Sequence, residues 1–79
     1  MVALTNESIQ ATRRWFHDNA LACIADVEDG SIKVNDPEAY FAQQRRYAVE
    51  ALEGKWDHTL AFLQHAHYIQ TGECVALLP

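Results

Sequence analysis

The sequence has few of the features that mark an extracellular, membrane-spanning or nucleic-acid-binding protein. It has only two cysteines, Cys23 and Cys74, with no further cysteines to form a disulfide framework. Because no secretory signal pattern precedes them, a reduced, cytoplasmic location is expected. The longest apolar runs are five or six residues, far short of the roughly 20 that cross a bilayer, so no membrane partner is expected.

Basic residues are also scarce. Six lysines and arginines stand against eleven aspartates and glutamates, which gives a formal net charge of −5. Non-specific affinity for nucleic acid depends on neutralising phosphates with lysine and arginine. Nucleic acid is therefore not expected as a partner.

Three glycines and two prolines divide the chain and predict its helices. Asp36 as N-cap followed by Pro37 at the first helical position is the clearest start signal, and Gly30, Gly54 and Gly72 are predicted stops. The helices are expected at about residues 5–29, 36–53 and 57–71. With 49% hydrophobic and 22% charged residues, residues 1–79 are predicted to form a single, mainly α, three-helix small domain.

Helical periodicity predicts which faces are buried. The apolar stripe of the first helix comprises Ile9, Phe16, Ala20, Cys23, Ile24 and Val27. The second helix is expected to turn inward Tyr40, Phe41, Gln44, Tyr47, Ala48, Ala51 and Leu52. The third helix is apolar around most of its circumference, so we expect it either to be the central helix or to form the surface of a dimer.

The C-terminal run Cys74-Val75-Ala76-Leu77-Leu78 is too apolar for a free tail. We expect an ordered, extended segment that packs on the core. Residues 31–34 and 74–77 both favour β-structure, and a short two-stranded pairing between them would satisfy their backbone groups. The sequence leaves open whether they pair.

Three histidines and one cysteine near the C-terminus suggest a metal site, namely His58, His65, His67 and Cys74. Imidazole and thiolate are ligands that zinc prefers. The spacing is unfavourable, because His58 and His65 are about 10 Å apart along a helix, and His65 and His67 point to nearly opposite sides. No metal or cofactor is therefore expected, and zinc binding remains an alternative hypothesis.

Two arginine pairs, Arg13-Arg14 and Arg45-Arg46, each precede an aromatic residue. If the first two helices pack antiparallel, the pairs would form one positive patch for a phosphate or carboxylate. The alternative is a solvated helix face, because Asp18 lies one turn after Arg14. An anion-binding module is thus a second alternative function.

The sequence favours binding over catalysis. Cys23 lies on the core stripe, where a thiol is inert, and no nucleophile–base set or pair of carboxylates is evident, so no enzyme is expected. Trp15 lies off the core stripe beside two arginines, where it either widens the core or anchors an interface. Ala42 and Val49 form a small apolar strip on the outer side of the second helix. The sequence thus predicts a non-catalytic protein–protein interaction module, an adaptor, regulator or inhibitor, whose partner is another protein or a second copy in a homodimer. The expected interface residues are Arg13, Arg14, Trp15, Ala42, Arg45, Arg46 and Val49.

Overall fold

The structure is a computed structural model that describes residues 3–74. It contains three helices, α1 (Asn6–Glu28), α2 (Pro37–Leu52) and α3 (Leu60–Thr71). The predicted mainly α, three-helix fold is confirmed. Within residues 3–74, no helix is long and apolar enough to cross a membrane.

The helix ends follow local side-chain chemistry. The Thr5 side chain accepts a hydrogen bond from the Ser8 amide at 3.1 Å, and the Asp36 side chain accepts one from the Ala39 amide at 3.2 Å. These bonds satisfy amides that have no partner within the first helical turn. Gly72 ends α3 in the left-handed conformation with φ 75°, which glycine adopts without steric cost.

The third helix starts later than predicted. Asp57 was expected to begin it, but residues 53–58 form turns, and the helix begins at Leu60. The reason is a better cap: the side chain of Thr59, whose backbone is extended, accepts a hydrogen bond from the Phe62 amide at 3.3 Å. Asp57 is instead engaged by Arg13 of α1.

α1 is the central helix. It packs against both α2 and α3, whereas α2 and α3 make no helix–helix contact with each other in the described part of the chain. Both run antiparallel to α1, because Tyr40 at the start of α2 lies beside Cys23, and Gln70 at the end of α3 binds Ser8. The prediction that the third helix is central is therefore wrong, and its apolar circumference is left partly exposed.

The core consists mostly of small side chains. Its buried residues are Ser8, Thr12, Ala20, Ala48, Ala51, Phe62 and Ala66. The prediction from periodicity missed Ser8 and Thr12, which are buried because their hydroxyls bond to carbonyls of their own helix: Thr12 Oγ1 donates to the Ser8 carbonyl at 2.7 Å, and Ser8 Oγ donates to the Thr5 carbonyl at 2.9 Å. Small side chains let the helix backbones approach closely and leave larger apolar groups at the edges.

The molecule is elongated, with principal extents of 42 × 22 × 21 Å. Its radius of gyration is 14.2 Å, whereas a compact domain of this length has about 11.6 Å. Its accessible surface of 5604 Å² exceeds by about 750 Å² the roughly 4,850 Å² typical of a folded monomer of this mass. The chain thus leaves more surface uncovered than a compact monomer does.

Two predictions fall wholly or partly outside the described residues. Residues 31–34 form bends and irregular backbone. Of their suggested partner segment, 74–77, only Cys74 is described, so the pairing stays a prediction. The ordered packing of residues 75–79 also lies outside the described range.

Candidate interaction surface

An open groove runs between α1 and α3. Its volume is about 800 Å³, and we call it the aromatic groove; it is lined by Trp15, Phe16, Ala61, Gln64, His65, Tyr68 and Cys74. Three of these side chains are aromatic and a fourth is an imidazole. None of the lining residues carries a carboxylate, an ammonium or a guanidinium group, so the groove offers flat, uncharged rings to whatever contacts it.

Trp15 is the most prominent residue of the aromatic groove. Its side chain remains exposed, with 45% of the residue accessible to solvent. The indole is nevertheless held in place, because it lies 4.3 Å from the His65 ring and meets the Phe16 ring edge-on at 5.1 Å. Such aromatic pairs add about 0.5–1.5 kcal/mol beyond their burial. Trp15 is thus an exposed indole with a fixed orientation.

The floor of the aromatic groove is continuous with the core. Phe16 stacks on Phe62 with ring centroids 5.9 Å apart and planes 15° from parallel. Phe62 is the largest fully buried side chain among the described residues, with 1% exposed. The Phe16 ring thus connects the exposed rings of the groove to the buried Phe62.

His65 connects the two exposed aromatic residues of the groove. Its ring lies between Trp15 and Tyr68, at 4.3 Å and 6.3 Å. Burial lowers the pKa of His65 below its usual value of 6.5, because desolvation disfavours the charged ring. The uncharged form of the imidazole is therefore favoured at neutral pH, and His65 adds a fourth ring to the groove.

A second apolar surface lies on the outer face of α2. Val49 is 58% exposed, and Ala42, seven residues before it, is exposed on the same side. Leu52 was expected to face inward, but it is 49% exposed and lies one turn beyond Val49. We call Ala42, Val49 and Leu52 the α2 strip.

Arg13 is not available for the predicted positive patch of Arg13, Arg14, Arg45 and Arg46, because it is bound to Asp57. The Arg13 guanidinium binds both oxygens of Asp57, with Nε 3.2 Å from each and Nη2 2.5 Å from Oδ2. This hydrogen bonding raises the pKa of Arg13. Arg13 also lies against Gly54 in the turn after α2, whereas Arg45 and Arg46 lie within α2. Arg14, Arg45 and Arg46 remain exposed.

The suggested zinc ligands are dispersed. Over residues 3–74, no group of three or more His, Cys, Asp or Glu side chains lies close enough to hold a metal ion. His65 and Cys74 both line the aromatic groove, while His58 lies in the turns before α3. The structure therefore does not bring His58, His65, His67 and Cys74 together.

A smaller cavity of about 390 Å³ lies on the other side of Phe16. Its walls come from all three helices and the turn before α3, and its lining residues are Phe16, Asn19, Ala20, Gln44, Tyr47, Ala51, Trp56, Thr59 and Ala61. Trp56 packs edge-on against Tyr47 at 5.3 Å, and its buried Nε1 has no hydrogen-bond partner in the described structure. Trp56 thus holds the turn against α2.

Sequence reasoning found Trp15 but missed the residues that accompany it. His65 was considered only as a candidate metal ligand, and Tyr68 was not considered. The available signal was the spacing of Ala61, Gln64, His65 and Tyr68, which places them on one helical face. Comparisons with protein-family models, curated proteins and solved structures found no match.

Proposed function

We propose that this protein is a non-catalytic, cytoplasmic protein–protein interaction module whose partner is a second copy of itself or another protein. The observation that carries the proposal is Trp15, an exposed indole whose ring lies 4.3 Å from that of His65. Tryptophan, tyrosine and arginine are the residues most enriched where binding energy concentrates. The aromatic groove supplies the first two, in Trp15 and Tyr68.

The fixed orientation of Trp15 favours affinity. Association normally costs about 0.5–1.5 kcal/mol for each flexible side chain that it immobilises. Trp15 is already confined by two neighbouring rings, so this cost is small for it. A preformed aromatic surface is therefore better suited to binding than an equally exposed flexible residue.

The exposed surface also favours a partner. The accessible surface exceeds that of a compact monomer of this mass by about 750 Å², so the protein exposes more surface than its size requires. The aromatic groove and the α2 strip together contain half of the exposed large apolar residues of the described chain, namely Trp15, Tyr68, Val49 and Leu52. Either surface supplies an apolar centre for an interface.

Charge at the edge of the groove adds specificity. Arg13 forms an ion pair with Asp57. Arg14, which is exposed and follows it in sequence next to Trp15, is therefore the arginine available to a partner. A charged group at the rim of an interface mainly alters the association rate and its salt dependence. We therefore assign Trp15 the larger energetic role and Arg14 a steering role.

Sedimentation equilibrium of the purified chain tests the proposal, with Trp15→Ala as the variant and Leu21→Ala as the control. Leu21 is as exposed as Trp15, at 44%, and lies on another face of α1. Trp15→Ala should weaken association by roughly 30-fold, since truncating an anchor commonly costs about 2 kcal/mol, while Leu21→Ala leaves it unchanged. Equal effects of the two variants on association would contradict the proposal. If the wild-type chain is monomeric, the proposed partner is a different protein and not a second copy.

A further inference from the structure

We infer that the cavity of about 390 Å³ between the helices is a binding site for a small, uncharged, planar molecule with an amide edge, of the class of fused bicyclic lactams. Its lining residues come from α1, α2, α3 and the turn before α3. The cavity shares Phe16 and Ala61 with the aromatic groove but otherwise has its own walls. The inference therefore does not rest on the proposed function.

The cavity follows from the way the helices pack. Both α2 and α3 pack on α1, and in the described part of the chain they make no helix–helix contact with each other. The buried alanines Ala20 of α1 and Ala51 of α2 contribute only methyl groups to the walls. The turn before α3 adds a further wall, because Trp56 packs edge-on against Tyr47 at 5.3 Å. The result is a space bounded by all three helices.

The volume of the cavity is suited to a small ligand. Ligand pockets commonly measure about 300–1,000 Å³, and the cavity of about 390 Å³ lies within this range. A cavity of about 150 Å³ is enough to hold benzene. There is therefore room for two fused rings.

The walls select a flat, uncharged molecule. Three aromatic side chains line the cavity, Phe16 from α1, Tyr47 from α2 and Trp56 from the turn. Such rings pack favourably against another ring, either stacked or edge-on. None of the described lining residues is charged, so a charged ligand would lose its hydration without gaining a partner.

Two side-chain amides supply the polar part of the site. Asn19 of α1 and Gln44 of α2 line the cavity; Gln44 is half-buried and Asn19 is exposed. Each primary amide has both a donor and an acceptor. A lactam, which carries an N–H beside a carbonyl, pairs with such an amide through two hydrogen bonds. The amides thus favour a ligand with this edge over a plain hydrocarbon ring.

Trp56 provides a further donor for a ligand carbonyl. Its Nε1 is buried and has no hydrogen-bond partner within the described structure. A buried donor without a partner is unfavourable, so a rotation of the indole toward an acceptor in the cavity would stabilise it. Ligand binding is therefore expected to change the environment of the Trp56 Nε1–H group.

Nuclear magnetic resonance titration with carbostyril, a fused bicyclic lactam, tests the inference on the chain alone. Trp56 lines the cavity and Trp15 lines the aromatic groove, so the Trp56 Nε1–H resonance should move further than that of Trp15. Quinoline has the same fused rings without the amide edge and should bind roughly tenfold more weakly, the loss expected for two neutral hydrogen bonds. Quinaldate, the charged analogue, should not bind.

Gln44→Leu tests the role of the amide. It should weaken carbostyril binding roughly tenfold and leave quinoline binding unchanged. Gln64→Leu is the matched control, because Gln64 is also half-buried but lines the aromatic groove. This variant should bind carbostyril as the wild-type chain does.

Three results would overturn the inference. Equal affinities of the wild-type chain for carbostyril and quinoline would show that the amide edge is not recognised. Movement of the Trp15 resonance alone would place the ligand in the aromatic groove. No movement of either resonance up to the solubility limit of carbostyril would show that the cavity does not bind this class of molecule. Should Gln44→Leu fail to fold, the comparison of the three compounds on the wild-type chain decides alone.

Discussion

Arg13 of α1 lies directly against Gly54 in the turn after α2. A Cβ atom at residue 54 would be 2.6 Å from Arg13 Nη2, and Gly54 has φ +83°. The absence of a side chain therefore serves two purposes: it permits the backbone conformation, and it lets the guanidinium reach Asp57. Through this contact the connection between α2 and α3 is fixed to the central helix.

Gly54→Ala is expected to destabilise the fold more than Gly30→Ala. Gly30 is a matched control, because it has φ +87° but nothing within 4 Å of its would-be Cβ. The free energy of unfolding of both variants should fall by about 1–2 kcal/mol, because alanine adopts a positive φ at a steric cost that glycine does not have. The free energy of unfolding of Gly54→Ala should fall by roughly a further 0.5–1 kcal/mol, because the alanine methyl displaces Arg13 and breaks its bidentate hydrogen bonding to Asp57.

Urea unfolding of both variants measures this difference. In an Asp57→Asn background the contact is already weakened, so the extra loss at Gly54 should shrink. An extra loss of the same size in that background would show that the clash itself, and not the ion pair, is responsible.

Ala66→Leu should reveal how closely α1 and α3 pack. Ala66 is fully buried, with 0% exposed, and protein cores are close-packed, so a larger side chain must displace its neighbours. Adding three carbon atoms should cost about 1–3 kcal/mol of the free energy of unfolding. Ala25→Leu, on an exposed position of α1, is the control and should change it by less than about 0.5 kcal/mol.

The helices were predictable because their end signals are local. Thr5, Asp36 and Gly72 act within three or four residues of themselves, through hydrogen bonds or backbone conformation that the neighbouring sequence determines. The predicted start of α3 at Asp57 was wrong, because Thr59 caps the helix and Asp57 instead binds Arg13. Arg13 is 44 residues away along the chain, so this contact could not be predicted from the local sequence.

The packing arrangement could not be read from periodicity alone. An apolar circumference predicts a central helix only if large side chains fill the core, and here alanine, serine and threonine do so. Ser8 and Thr12 count as polar in a sequence pattern, yet their hydroxyls donate to the carbonyls of Thr5 and Ser8, and the Ser8 hydroxyl also bonds to Gln70 of α3. Trp15 was identified because it departs from the stripe, but its neighbour His65 lies 50 residues away along the chain.

The stability of the protein should fall as the pH drops below about 6.5. Burial lowers the pKa of His65 in the folded chain, whereas in the unfolded chain the ring titrates near 6.5. Below that pH the unfolded state binds the additional proton, so the free energy of unfolding decreases until the pH passes the folded pKa. Above pH 6.5 the contribution of His65 is fully present and constant.

Unfolding by urea between pH 5 and pH 7.5 checks this expectation, with His65→Gln as the control. Glutamine keeps a polar side chain at the groove but does not titrate. The part of the pH dependence of the free energy of unfolding that comes from His65 should therefore disappear. A variant with the wild-type pH dependence would show that other groups are responsible.

The α2 strip is expected to take part in association, and Val49→Glu tests this expectation. Val49→Glu places a charge on a residue that is 58% exposed, so the free energy of unfolding should change by no more than about 0.5 kcal/mol. Burying that charge in an apolar interface would be costly, and association should weaken at least tenfold, or about 1.4 kcal/mol. Ala22→Glu, on an exposed position of α1, adds the same charge elsewhere and controls for net-charge repulsion. If Val49→Glu and Ala22→Glu sediment alike, the α2 strip lies outside the interface, and Trp15 and the aromatic groove remain the surface to pursue.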